Sequence, residues 1–240
     1  MQSNLINLSE RQSQIKAWFN QTYQQRAFQY LRPVEAYEIY LSLLEAKKGN
    51  SILDIACGPG QMLKAAEKQK LTLSGIDISD VAINYAKAAL PNVTLKVANA
   101  EELPFKNNQF NYITCLGSAE RFLQLEVALK EMLRVAKPNA RFCFLVRNSE
   151  RASWKIAKKK LGLINKASHQ GAKSLNEWAA IFTKTGFNID TVHHDQWPKT
   201  RWQRWLSLNS KLWQVDYKKK KKRNGTLESA YEFIFILSKQ

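Results

Sequence analysis

The stretch SILDIACGPG, Ser51 to Gly60, decides the fold. Its first five residues form a short apolar run of the kind that makes a strand buried in a parallel sheet. The run passes straight into Ala56-Cys57-Gly58-Pro59-Gly60 and then into a helix-like stretch over 60–70. Glycines at the end of such a strand permit a tight turn and let a ligand approach the backbone with no Cβ in the way. Pro59 stiffens the turn close to a helix start, where its missing N–H costs least. The next apolar run, TLSGID (72–77), ends on Asp77, 17 residues beyond Gly60. Open α/β sheets bind ligands beyond the carboxyl ends of their strands, and a carboxylate there can accept hydrogen bonds from both ribose hydroxyls of a nucleoside. The competing structural reading makes Gly58 and Gly60 a plain turn and Asp77 a helix cap.

Outward from this unit the same alternation continues. VTLKVA (93–98), FNYITCL (110–116) and ARFCFLV (140–146) have strand character, with helix-like stretches at 80–89 and 123–136 between them. Leu125, Ala128, Leu129, Met132 and Leu133 keep to one side of the last helix. A helix at 174–184, a strand at about 187–193 and the strand YEFIFIL (231–237) follow. Strands and helices in this order predict an α/β domain with a mostly parallel sheet. The first 48 residues read as a helical cover, with Trp18, Phe19, Tyr23 and Phe28 as candidate contacts with the core. At 240 residues one substantial core suffices, so 1–240 reads as a single domain.

The turn is not a dinucleotide fingerprint, because Ala56 and Leu63 stand where its first and third glycines would be. There is no GK[ST] phosphate loop either, so the site has little reason to hold a pyrophosphate or triphosphate. ILDIACGPG, GIDIS, NAEELPF, FNYITCLGSAERF and LKEMLRVAKPNARFCFLV together resemble the class I S-adenosylmethionine-dependent methyltransferases, in the methyltransferase type 11, UbiE-like branch. The resemblance spans about 18–193 and is most specific over 51–146. It implies a Rossmann-like seven-stranded sheet, mostly parallel with an antiparallel C-terminal strand and helices on both faces. It implies S-adenosylmethionine as cofactor, with Asp54 and the turn Ala56, Cys57, Gly58 and Gly60 around the methionine part. Asp77, with Ile78 beside it, would take the ribose hydroxyls. Asn99 and Ala100 would line the adenine end, Leu116 and Gly117 would lie beneath the transferred methyl, and Tyr23 would close over the cofactor.

Two departures bear on that site. Ala56 replaces the usual first glycine, which is tolerable if its φ is negative. Asn99 stands where this branch often has aspartate, and an amide oxygen can still accept a bond from the adenine amino group. Methyl transfer from a sulfonium needs a lone pair in line with the S–CH₃ bond, so positioning supplies much of the rate. A base is needed only for a protonated nucleophile. His169 and Glu120 are the candidates, against a surface role for His169 and an ion pair to Arg121 or a capping role for Glu120. His193 and His194 close a strand and read as structural.

Charge is concentrated in two segments. Residues 147–173 carry eight Lys/Arg against Glu150 alone, a net +7, and 196–226 carry ten against Asp216 alone, a net +9. Trp154, Trp197, Trp202, Trp205 and Trp213 lie in the same segments. If their preceding strands are parallel to the first, both leave from the face where the cofactor binds. A basic, tryptophan-rich helix there can be a lid over the acceptor or a contact with anionic headgroups. Three function classes stay open: a methyltransferase acting on a small-molecule or lipid-like acceptor, an RNA or nucleotide-substrate methyltransferase using phosphate contacts, and a non-catalytic cofactor-binding or scaffold protein. The run KKKKKR (218–223) is expected to be exposed. No run approaches 18 apolar residues and the N-terminus lacks a signal pattern. Cys57, Cys115 and Cys143 are widely spaced and odd in number, and no metal-ligand spacing is present. The expected setting is the cytoplasm, peripheral to a membrane surface if the basic segments bind lipid.

Overall fold

In a computed structural model, residues 8–26, 31–150, 171–195, 227 and 230–240 are described. His169, Phe28, the 218–223 run and the five tryptophans of the basic segments lie outside them. The element order is α1 (Leu8–Arg26), a 3₁₀ turn (Val34–Tyr37), α2 (Glu38–Leu43), β1 (Ser51–Ile55), α3 (Gln61–Glu67), β2 (Thr72–Asp77), α4 (Asp80–Ala89), β3 (Thr94–Val97) and β4 (Phe110–Leu116). Then come α5 (Leu125–Val135), β5 (Ala136–Arg147), α6 (Leu175–Thr185), β6 (Phe187–His194) and β7 (Glu232–Lys239).

The strands form one seven-stranded sheet in the order β3-β2-β1-β4-β5-β7-β6. β1 through β5 pair in parallel, and β7 lies antiparallel between β5 and β6. YEFIFIL is therefore a strand of this sheet, as its composition predicts. Strand periodicity assigns the faces. Leu53, Ile55, Phe142, Phe144, Phe233 and Phe235 meet α5 and α6 on one side. Ile52, Cys143, Leu145, Ile234 and Ile236 meet α2, α3 and α4 on the other. Burial on both faces explains why these strands read as continuous apolar runs.

Local signals set the helix ends. Ser174 and Glu177 form a reciprocal capping box at the start of α6, and Gly186 ends it at φ 110°. Ser79 caps α4 by accepting from the Ala82 N–H at 3.1 Å. The predicted helix 123–136 is real but shorter, and β5 begins at Ala136, earlier than the expected 140. Phe110 pairs with Ala136, and regular pairing resumes at Tyr112 with Arg141. Pro138 thus sits in a bulge, where its missing N–H removes no ladder bond. The N-terminal cover is helical in α1, the short turn and α2, but Arg32 and Pro33 are not helical.

Candidate functional site

The carboxyl ends of β1, β2 and β4 open into a cleft of about 570 Å³. Its size is that of a small-molecule site. The turn after β1 is tight because three residues take positive φ: Ala56 at 56°, Gly58 at 53° and Gly60 at 85°. The negative φ on which tolerance of Ala56 is conditioned is therefore not met. Alanine holds the left-handed conformation here, at a cost of about 1–2 kcal/mol, because the strand must turn at once into α3. A Cβ on Gly58 would come within 2.8 Å of the Tyr23 hydroxyl. Gly60 does not line the cleft; a Cβ there would meet Leu90 Cδ1 at 2.9 Å, so its role is packing and the start of α3.

Two carboxylates lie at the cleft floor. Asp77 accepts from the Gly58 N–H at 2.8 Å and the Ser79 N–H at 2.9 Å, which ties the first turn to the second. Asp54 accepts from the Thr114 hydroxyl at 2.6 Å. Burial pushes the Asp54 carboxyl up to about 7, partly offset by Thr114 and reinforced by the Asp77 charge. Burial likewise raises Asp77 to about 6, against the pull of the Ser79 and Gly58 N–H groups and of Arg121. Each carboxylate oxygen has more than one lone pair, so the floor can accept further hydrogen bonds. This is a place for a ligand that brings hydroxyl donors and positive charge.

Of the sequence-derived cofactor residues, Tyr23, Asp54, Ala56, Cys57, Gly58, Asp77, Ile78, Asn99, Ala100, Leu116 and Gly117 all line this one cleft. Asn99 Oδ1 accepts from the Glu101 N–H at 3.2 Å. Gly117, at φ 72°, hands its carbonyl to Arg121 Nη1 at 2.7 Å. From the other side α1 covers the opening with Trp18, Phe19 and the buried Tyr23. That helix is anchored through Asn20, which donates to Asp80 at 2.6 Å and accepts from the Ser79 hydroxyl at 2.6 Å. Cys57, Cys115 and Cys143 are free and buried, and burial raises all three thiols.

Glu120 is not among the cleft-lining residues. Its carboxylate is buried behind the wall, 3.4 Å from Arg147 Nε, rather than acting as a helix cap. Burial raises its pKa, offset by the charges of Arg121 and Arg147. His193 and His194 do not line the cleft, and the His193 ring pairs with the Thr191 hydroxyl at 2.9 Å. Sequence reasoning missed Arg121 and Arg147 as cleft residues. It also missed Arg32, whose guanidinium reaches Tyr40, both oxygens of Asp195 at 3.0 and 2.7 Å, and Glu232 at 2.9 Å. Burial would lower the Arg32 pKa, but Tyr40, Asp195 and Glu232 outweigh it and hold the group well above its usual range. The only signal for Arg147 was its place at the start of the first basic segment.

Residues 53–144 match the family model described as a methyltransferase domain. A protein of Methanocaldococcus jannaschii is 38% identical over 127 residues, 53% of this chain and 47% of that protein. The ubiquinone/menaquinone biosynthesis C-methyltransferase of Rickettsia prowazekii is 38% identical over 108 residues, 40% of this chain and 44% of its own. The chain thus spans about half the length of the curated relatives it matches. Among solved structures, the cyclase SpnF superposes with a TM-score of 0.69 at 15% identity, over 95% of this chain and 96% of its own. At that identity the likeness is one of fold.

Proposed function

Since residues 53–144 belong to the class I S-adenosylmethionine-dependent methyltransferase family, we propose that this chain transfers a methyl group from S-adenosylmethionine to a small-molecule or lipid-like acceptor. The observation that carries the reading is the cleft floor, where two buried carboxylates flank a glycine turn that presents backbone instead of side chain. These residues fit the cofactor. Asp77 accepts from the ribose hydroxyls, and Ile78 packs beside them. Asn99 accepts from the adenine amino group, with Ala100 against the ring. Asp54 and the 56–60 turn hold the methionine end, and Leu116 and Gly117 form the surface beneath the reacting centre. Tyr23, Phe19 and Trp18 exclude water from above.

When bound, the cofactor supplies a methyl group on a positively charged sulfur, already activated for transfer. The chain's part is then to orient an acceptor lone pair in line, which is positioning rather than covalent catalysis. Among the described cleft-lining residues there is no histidine or lysine. His169 remains a candidate base by its place in the sequence, while Glu120 acts at one remove through Arg147. The relatives named for quinone methylation support a small or lipid-like acceptor. β5 and β6 are parallel to β1 and end at Arg147 and His194, so both basic segments attach at the cofactor edge. That attachment supports reading 147–173 and 196–226 as acceptor-side inserts, which an anionic membrane could meet through their basic charge. α1, which lines the cleft, supports reading 1–48 as a cover. Among the described residues no helix is long and apolar enough to cross a membrane.

Titration calorimetry with S-adenosylhomocysteine tests the site. Asp77→Ala is expected to weaken binding by about 1–3 kcal/mol, because it leaves ligand donors unpaired. Gly58→Val is expected to be worse, since its Cβ would enter the space beside Tyr23 from a left-handed backbone. Failure of the wild type to bind, or unchanged affinity in both variants, overturns the assignment.

A further inference from the structure

The far wall of the cleft carries a feature that cofactor binding does not use. Arg147 closes β5 and lines the cleft. Its backbone carbonyl accepts from the Trp178 indole at 3.0 Å, so α6 fixes where the side chain starts. Its Nε lies 3.4 Å from Glu120 and 3.7 Å from Glu232. Those are ion-pair distances but too long for good hydrogen bonds. The Glu120 side chain is 0% exposed, and neither of its oxygens has a hydrogen-bond partner. Gly171 packs against the Glu120 backbone, where a Cβ would collide with the carbonyl. A fully buried carboxylate without a donor is costly, and here the charges of Arg121 and Arg147 offset it, Arg147 by the direct ion-pair contact. The carboxylates approach Nε, so the terminal amino groups are the part of the fork available to a ligand.

Resting on the methyltransferase reading above, we propose that Arg147 is the acceptor-recognition residue and that the acceptor carries its own anionic oxygen group, a carboxylate or phosphate. Glu120 is a positioning residue that holds the guanidinium from behind. The charge pattern of the cleft agrees with this assignment. Asp54 and Asp77 lie at the ends of β1 and β2, while Arg147 closes β5 beyond β4, so an anion is repelled from one end and drawn to the other. Arg121 lines the cleft between them and also acts on Asp77. Planar guanidinium forks bind carboxylates and phosphates in paired hydrogen bonds that fix orientation as well as affinity. Fixed orientation is what in-line transfer needs.

The test uses the full chain and an extract of the cells the gene comes from. The aqueous and lipid phases are separated, each is fractionated on an anion exchanger, and each fraction is assayed with methyl-labelled S-adenosylmethionine. Acceptor activity is expected in retained, anionic fractions; the phase that holds it distinguishes a soluble metabolite from a lipid headgroup. Arg147→Gln should raise the KM of that fraction about tenfold or more with S-adenosylhomocysteine affinity unchanged, and Arg147→Lys should retain part of the activity. Glu120→Gln should raise the same KM by less, whereas a purely structural role would lower stability and leave KM alone. Acceptor activity confined to unretained fractions, or an unchanged KM in Arg147→Gln, overturns the proposal by itself. Cofactor binding with no labelled product in any fraction overturns the methyltransferase reading and this proposal with it.

Discussion

Two halves of one sheet edge are built in opposite ways. At β1 and β2 the site is made of near neighbours in the chain: the Gly58 N–H donates to Asp77, 19 residues away, and the Ser79 N–H donates to Asp77, two residues away. At β5, β6 and β7 the edge is tied together by residues far apart in the chain. Arg32 reaches Asp195 across 163 residues and Glu232 across 200, and Glu232 in turn faces Arg147 at 3.7 Å. The first half is a local turn that a short motif specifies. The second is an ionic assembly that exists only once the sheet has closed, and it brackets both ends of the 196–226 segment. On the proposed function the difference has a use: a cofactor never changes, so its half can be a motif, whereas a half that faces the acceptor could be re-chosen by a few distant side chains.

The largest expected effect falls on the assembled half. Arg32→Met removes the guanidinium that Asp195 and Glu232 share, and breaking a buried pair in this way costs about 3–5 kcal/mol. Urea unfolding should show that loss. The variant that still folds should bind S-adenosylhomocysteine as wild type does, because the contact from the β1–β2 connection, Gln61 Nε2 on the Arg32 carbonyl at 3.5 Å, is to backbone that the substitution keeps. A parallel loss of cofactor affinity would show that the halves are coupled and break the contrast.

That asymmetry also explains what was legible in the sequence. The strand, turn, strand and terminal acid of 51–77 are contiguous, so their geometry follows from local sterics and buried-strand composition. Eleven of the proposed cofactor residues duly line one cleft. The failures have physical causes of their own. Ala56 could not be assigned its φ of 56° from side-chain type, since alanine ordinarily avoids it and the tight entry into α3 overrides that preference. The start of β5 at Ala136 was hidden because Pro138 reads as a terminator until a bulge accommodates it. Glu120 looked like a partner for its neighbour Arg121 or a cap; the Arg121 charge does act on it, and the strand end adds Arg147, 27 positions away, at 3.4 Å. Arg32 carried no signal at all, for nothing local distinguishes it from a surface arginine.

Titration sharpens the contrast next. Asp54 and Asp77 in the folded protein sit at about 7 and about 6, above the usual carboxylate range. The folded, ligand-free chain therefore holds more protons than the unfolded one. The stability these groups contribute is complete below about pH 4 and is lost as pH rises through 6 and 7. A ligand that brings positive charge and hydroxyl donors prefers the carboxylates, so cofactor affinity should move the other way, weakening as pH falls from about 8 to 5. Below pH 6 binding should release up to about two protons, measurable by calorimetry in buffers of different ionisation enthalpy. Asp54→Asn should remove about half of that release. Affinity that is flat over this range would mean that the floor carboxylates do not meet the cofactor.

The smallest effect concerns the methyl group of Ala56. Replacing it with glycine relieves the left-handed backbone, worth about 1–2 kcal/mol, but loosens the unfolded chain by about 0.4–1 kcal/mol. The two partly offset, so Ala56→Gly should change stability by about 0–1.6 kcal/mol, in the stabilising direction. Ala56 lines the cleft, so the variant also removes a Cβ beside the ligand path. Cofactor affinity should hold or rise slightly, and the acceptor KM should not move, since the far wall is untouched. Chemical unfolding together with calorimetry reads both quantities. A destabilised Ala56→Gly would mean that the alanine methyl contributes packing that outweighs its strain, and the turn would then be a fitted contact rather than a backbone constraint with a tolerated side chain.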